Sequence, residues 1–159
     1  MNRVLFVMGT PVLAEFFDDL IRCETRPYNA LNTHLRQRHG IVTSQFEFLH
    51  HIRDHSGCRV ADLSVEYAVG VGATSKGVDR LERHGWVARR PNPSDRRSSL
   101  LVLTESAVEL VDAAERAFTA HLAEMIAGTF TPALLATAAH ALSALRATLE
   151  RDRIGMPTG

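Results

Sequence analysis

The chain has 159 residues, with 18 Lys and Arg against 18 Asp and Glu, so its formal net charge is zero. It is 45% hydrophobic, near the globular average, which excludes a fibrous repeat or a chain disordered throughout. Two cysteines, Cys23 and Cys58, exclude a disulfide-stapled scaffold, and no apolar run reaches the 18 to 20 residues of a membrane span.

The apolar run Val4–Met8 is interrupted by Gly9 and Pro11, too short for a signal-peptide core. The expected address is therefore the cytoplasm. Residues 12–38 carry Val12, Leu13, Phe16, Phe17, Leu20, Ile21, Tyr28, Leu31 and Leu35 at helical spacing. Pro27 predicts a kink or break near residues 23–27, because it lacks a backbone donor and crowds the preceding turn. After Gly40, Thr43 reads as the N-cap of a second helix with Phe46, Leu49 and Ile52 inward. A short third helix holds Val60, Leu63 and Tyr67. Gly70-Val71-Gly72 reads as a turn, followed by a fourth helix that Gly85 stops. Its inward stripe is Val71, Thr74, Val78 and Leu81.

Past Gly85 the period changes. Residues 86–90 and 98–103 read as strands joined by Pro91-Asn92-Pro93-Ser94-Asp95, which predicts a hairpin tipped by Arg96 and Arg97. Thr104 caps a fifth helix that ends at Gly128. Thr131-Pro132 opens a sixth, with Leu134, Leu135, Leu142, Leu145 and Leu149 in a stripe.

Charge is distributed unevenly along this pattern. Residues 72–100 hold seven basic and three acidic side chains, whereas residues 1–71 hold seven and eight, and residues 101–159 four and seven. A basic island in an acidic body is the footprint expected for a polyanion partner. Helix, turn, helix and basic hairpin in that order are the layout of a winged helix-turn-helix, whose second helix enters the major groove. On the outer face of the fourth helix, Lys76, Arg80 and Arg83 stack at i, i+4 and i+7. The candidate DNA-binding set is Thr74, Ser75, Lys76, Asp79, Arg80 and Arg83 from the helix and Arg89, Arg90, Asp95, Arg96 and Arg97 from the hairpin. Ser75, Lys76 and Arg80 are assigned to base edges. Asp95 is expected to hold one wing arginine while the other enters the minor groove.

Two stretches carry a resemblance. Ser75-Lys76-Gly77-Val78-Asp79-Arg80-Leu81-Glu82-Arg83-His84-Gly85-Trp86-Val87 and Pro93-Ser94-Asp95-Arg96-Arg97, followed by Leu103-Thr104, resemble the recognition helix and wing of the MarR family of bacterial transcriptional regulators. Ala107 stands where that family usually has Gly, and Gly77 where it usually has an apolar residue. The resemblance implies a mainly α fold with a small β-wing. It further implies a winged helix-turn-helix core at 41–104, flanked by dimerisation helices at 1–40 and 105–159. A ligand-responsive homodimer bound to a pseudo-palindromic operator, usually as a repressor, is the function it implies. The surplus apolar stripes of the first, fifth and sixth helices independently favour a twofold. The alternatives are a dimeric winged-helix module that docks on protein without binding DNA, or a redox- or metal-sensing variant of the same regulator.

Neither an enzyme nor a cofactor is indicated. Gly70–Gly77 lacks the Gly-Lys-Ser/Thr order of a phosphate loop, and no nucleophile elbow occurs. His50, His51 and His55 with Asp54 read as a polar helix face rather than a metal site, and Cys23 as an apolar filler rather than an oxidant sensor. A small aromatic effector is expected in an apolar pocket drawn from Phe16, Phe17, Tyr28, Phe46 and Phe48.

Overall fold

The structure is a computed structural model that describes residues 10–157. The apolar run Val4–Met8 lies outside the described residues. Among the described residues, six helices and one hairpin follow in the order α1 Thr10–His39, α2 Thr43–Asp54, α3 Val60–Glu66, α4 Val71–Arg83, β1 Val87–Pro91, β2 Ser99–Leu103, α5 Glu105–Ile126 and α6 Pro132–Arg151. The architecture is mainly α with a small two-stranded antiparallel wing.

α1 is one continuous helix through Pro27, which corrects the expected break. Proline deprives only the carbonyl four residues earlier, on Cys23, of its helical donor. Cys23 is exposed, so water can serve that carbonyl. The same exposure corrects the reading of Cys23 as an apolar filler. The two halves of α1 differ: Leu31 and Leu35 are buried, whereas Val12, Leu13, Phe16, Phe17 and Ile21 are exposed.

Thr43 is the first residue of α2 rather than its cap. It is buried, and its backbone N–H donates to Asn32 Oδ1 of α1 at 3.1 Å. The preceding Val42 N–H donates to the Gln45 side chain at 2.9 Å. These two bonds satisfy donors that a helix start leaves over and fix α2 on α1. α3 begins in the same way, with the Arg59 N–H donating to Asp62 Oδ2 at 2.9 Å. α4 starts at Val71, so the predicted glycine turn ends one residue into the helix.

Leu35, Ile41, Leu49, Leu63, Val78, Leu81, Leu101 and Val111 form the core, drawn from α1 to α5 and the wing. Each such side chain contributes about 1.5–3 kcal/mol by leaving water. The wing is tied to this core at its root. Leu101 N–H donates to the Cys58 carbonyl at 2.7 Å. The Thr104 hydroxyl donates to the Gly85 carbonyl at 2.8 Å and accepts from Ala107 N–H at 3.3 Å, capping α5. Gly85 has φ +74, a left-handed turn that lets the chain reverse from α4 into β1. α6 is capped by Thr131, which accepts from Leu134 N–H at 3.2 Å, yet none of its residues is buried.

Candidate nucleic-acid interface

α4 presents three faces. Thr74, Val78 and Leu81 are buried against the core. Thr74 is fully buried and its hydroxyl donates to the Gly70 carbonyl at 3.1 Å, so it drops out of the candidate DNA-binding set. Val71, expected in the core, is 58% exposed. Lys76, Asp79, Arg80 and Arg83 are exposed and Ser75 half-buried, on the sides turned away from the core.

The wing runs from β1 into β2 in the register Val87↔Leu103, Arg89↔Leu101 and Pro91↔Ser99. Arg89 reaches back across α4. Its guanidinium donates to Asp79 at 2.6 Å and to Glu82 at 3.2 Å. Asp79 and Glu82, one turn apart on α4, are thus committed to bracing the wing. Two carboxylates at helical spacing followed by an arginine on the next strand are a signal in the sequence from which this brace could have been foreseen.

Among the described residues, Asp95 pairs with no guanidinium. Its Oδ1 accepts from the Arg97 backbone N–H at 3.0 Å, and its carbonyl accepts from the Ser98 hydroxyl at 3.2 Å. Asn92 repeats the device, accepting from Ser94 N–H at 3.0 Å. Both are side-chain turns of the Asx type, which shape the backbone and leave the arginines unbound. Among the described residues, paired arginines are Arg22, Arg53, Arg59, Arg89, Arg146 and Arg151. Lys76, Arg80, Arg83, Arg90, Arg96 and Arg97 have no described carboxylate within 4 Å. Six unneutralised cations therefore lie along one helix and the hairpin beside it.

On the opposite flank of α4 is a cleft of about 470 Å³ between α1, α2 and α4. Tyr28, Phe48 and Tyr67 supply its rings, Glu24 and Glu47 its carboxylates, and Gly77 and Arg80 its α4 wall. Of the five expected pocket residues, only Tyr28 and Phe48 line it. Phe16 and Phe17 are exposed on the free half of α1. Phe46 is buried against Phe118, ring centroids 5.1 Å apart. Tyr67 and Glu47, which sequence reasoning missed, are joined: the Tyr67 hydroxyl donates to the Glu47 carbonyl at 2.9 Å. The Tyr28 hydroxyl donates to Glu47 Oε2 at 3.4 Å. Burial lifts the Glu47 carboxyl above the usual carboxylate range. Gly77 fits a specific need, since a Cβ there would lie 2.9 Å from the Phe48 ring.

The histidines have local partners. His50 Nε2 lies 3.2 Å from Glu115, and His51 stacks on His55 at 4.0 Å. Cys58 is buried, and desolvation pushes its thiol up to about 11. No described helix is long and apolar enough to cross a membrane.

A basic helix seated on a helix pair, with a hairpin braced against its outer side, defines a winged helix-turn-helix protein. Residues 41–99 match the MarR family model. The multiple antibiotic resistance protein MarR of Escherichia coli is 39% identical over 64 residues, which are 40% of this chain and 44% of that protein. The chain thus spans less than half the length of that curated relative. Among solved structures, a mutant MarR from Escherichia coli complexed with operator DNA superposes with a TM-score of 0.72 at 27% identity, covering 80% of this chain and 91% of that one. AbsC, a MarR family transcriptional regulator from Streptomyces coelicolor, has the same fold, with a TM-score of 0.78 at 22% identity over 89% of this chain and 96% of that one. Over residues 41–99 the chain is thus similar to the MarR family, and its fold is that of the MarR structures above.

Proposed function

We propose that this protein is a transcriptional regulator that grips duplex DNA with α4 and the wing. The observation that carries the reading is the set of six cations on α4 and the hairpin without a carboxylate partner. Ser75, Lys76 and Arg80 meet base edges in the major groove. Arg96 or Arg97 enters the minor groove, and Arg83 and Arg90 meet phosphates. Arg89 is held by Asp79 and Glu82 and sets the wing's angle.

The acting species is a homodimer on a pseudo-palindromic operator, in most instances a repressor. The exposed stripe of α6, with Leu134, Leu135, Leu142 and Leu149, and the exposed half of α1 supply an apolar surface that a second copy would cover. A small aromatic acid is the expected effector in the α1–α2–α4 cleft. Its ring would lie among Tyr28, Phe48 and Tyr67, and its carboxylate would face Arg80. Occupancy would compete with DNA for that guanidinium.

Duplex binding tests the reading. A sequence selected from random DNA should be held at about 50 mM salt and lose affinity by orders of magnitude at about 200 mM, the mark of phosphate contacts. The double substitution Lys76→Ala, Arg80→Ala should cost about 1–3 kcal/mol for each side chain that bonds a base edge. Unchanged affinity after both would reject the assignment. Salicylate-like acids should release the duplex, and a panel without effect would count against the effector.

A further inference from the structure

Val71 is the first residue of α4 and 58% exposed, one turn before Ser75 on the same flank. It lines a concavity of about 390 Å³ together with Ser75 of α4, Arg59 beside α3, and Arg89 and Arg97 of the wing. Val60 and Ala61 also line this concavity, yet more than half of the Val71 surface faces solvent beside the arginines and the serine. It is also the one large apolar side chain exposed on α4. The other large apolar α4 residues, Val78 and Leu81, are buried.

The proposed docking gives this position a ligand. The first residues of a recognition helix lie nearest the base edges. In the major groove thymine alone presents a methyl group, and aliphatic side chains recognise it by excluding water from it. We propose that Val71 reads the C5-methyl group of a thymine at one position in each operator half-site, beside the polar contacts of Ser75 and Lys76. The proposal rests on the DNA-binding reading above and adds a specificity that no hydrogen bond supplies.

The methyl can be removed from the DNA without touching the protein. Each thymine of the selected operator is replaced in turn by deoxyuridine, and affinity is measured for the wild type and for Val71→Ala. Val71 is not in the core, so the melting temperature of the variant should match the wild type and serves as the control. At one thymine per half-site, deoxyuridine should weaken the wild type about three- to fourfold, the worth of roughly one buried methyl. The same replacement should leave Val71→Ala unchanged, because the isopropyl group that covers the methyl is already absent. A deoxyuridine scan that is flat for the wild type, or equal in both proteins, overturns the assignment while leaving DNA binding in place. Failure to retain any duplex at low salt overturns the reading on which it rests.

Discussion

Arg89 lies 2.6 Å from Asp79 and so fastens the first strand of the wing to the helix proposed to read DNA. The two residues are ten apart in sequence and belong to different elements. Position of the hairpin is thereby linked to position of the helix.

That pair yields a first prediction. Asp79→Asn should loosen the wing while leaving the fold intact, because a part-exposed ion pair contributes about 0–1 kcal/mol to stability. Operator affinity should fall by more than stability does, and the loss should vanish in a variant already lacking Arg96 and Arg97. Equal losses in both backgrounds, measured by fluorescence anisotropy, would argue against a positioning role.

The second prediction concerns α6. Leu142 is 51% exposed in a helix with no buried residue. A carboxylate there would have to be desolvated on pairing, so Leu142→Asp should weaken self-association by about a hundredfold or more. Sedimentation equilibrium reads this directly. A dimer unaffected by the change would move the twofold elsewhere.

Gly77 and Phe48 make a third test. Alanine is favoured over glycine in a helix by about 1 kcal/mol, but a Cβ at 77 would lie 2.9 Å from the Phe48 ring. In the wild-type background Gly77→Ala should therefore gain little or lose slightly. In a Phe48→Ala background it should stabilise by close to the full propensity difference. Additive effects in a urea-denaturation cycle would show that the two positions do not touch in solution.

A fourth prediction is the pH dependence of the α1–α5 junction. His34 stacks on His121, ring centroids 4.1 Å apart and nearly parallel. Desolvation, followed by the fields of His121 and Arg38, holds His34 below the ordinary histidine value. The unfolded chain thus binds a proton more readily than the folded one. The stability is fully present above the unfolded value of about 6.5 and declines as the pH falls through it. His34→Gln should flatten the melting-temperature slope between about pH 7.5 and 5.5, the window around that value. A slope identical to wild type would assign the effect to other groups.

Much of this structure was legible in the chain. Thr104 and Thr131 cap α5 and α6 as their sequences require, and Gly85 adopts the left-handed turn that ends α4. The hairpin sits within a residue of its predicted strands. What was not legible depends on neighbours. Val71 falls on the apolar spacing of α4, yet it is the helix's first residue and stays mostly exposed, while Thr74 takes the buried place in that turn. Thr43 has a capping residue's chemistry, but its hydroxyl is buried without a partner, and it is its backbone N–H that donates, to Asn32 of another helix. Asp95 beside two arginines suggests an ion pair, whereas the turn geometry turns its carboxylate to a backbone N–H. The cleft residues Tyr28, Glu47, Phe48 and Tyr67 come from three segments that periodicity cannot bring together.

The Thr104 contacts clamp the hairpin where it leaves the body, and one step further out the Leu101–Cys58 hydrogen bond and the Arg89 ion pairs hold its two strands at the same level. Bending is thereby confined to the stretch past Arg90, where side-chain turns govern the path. The tip can adapt to furrows of different breadth like a finger on a fixed knuckle, while the angle of approach stays set by the body.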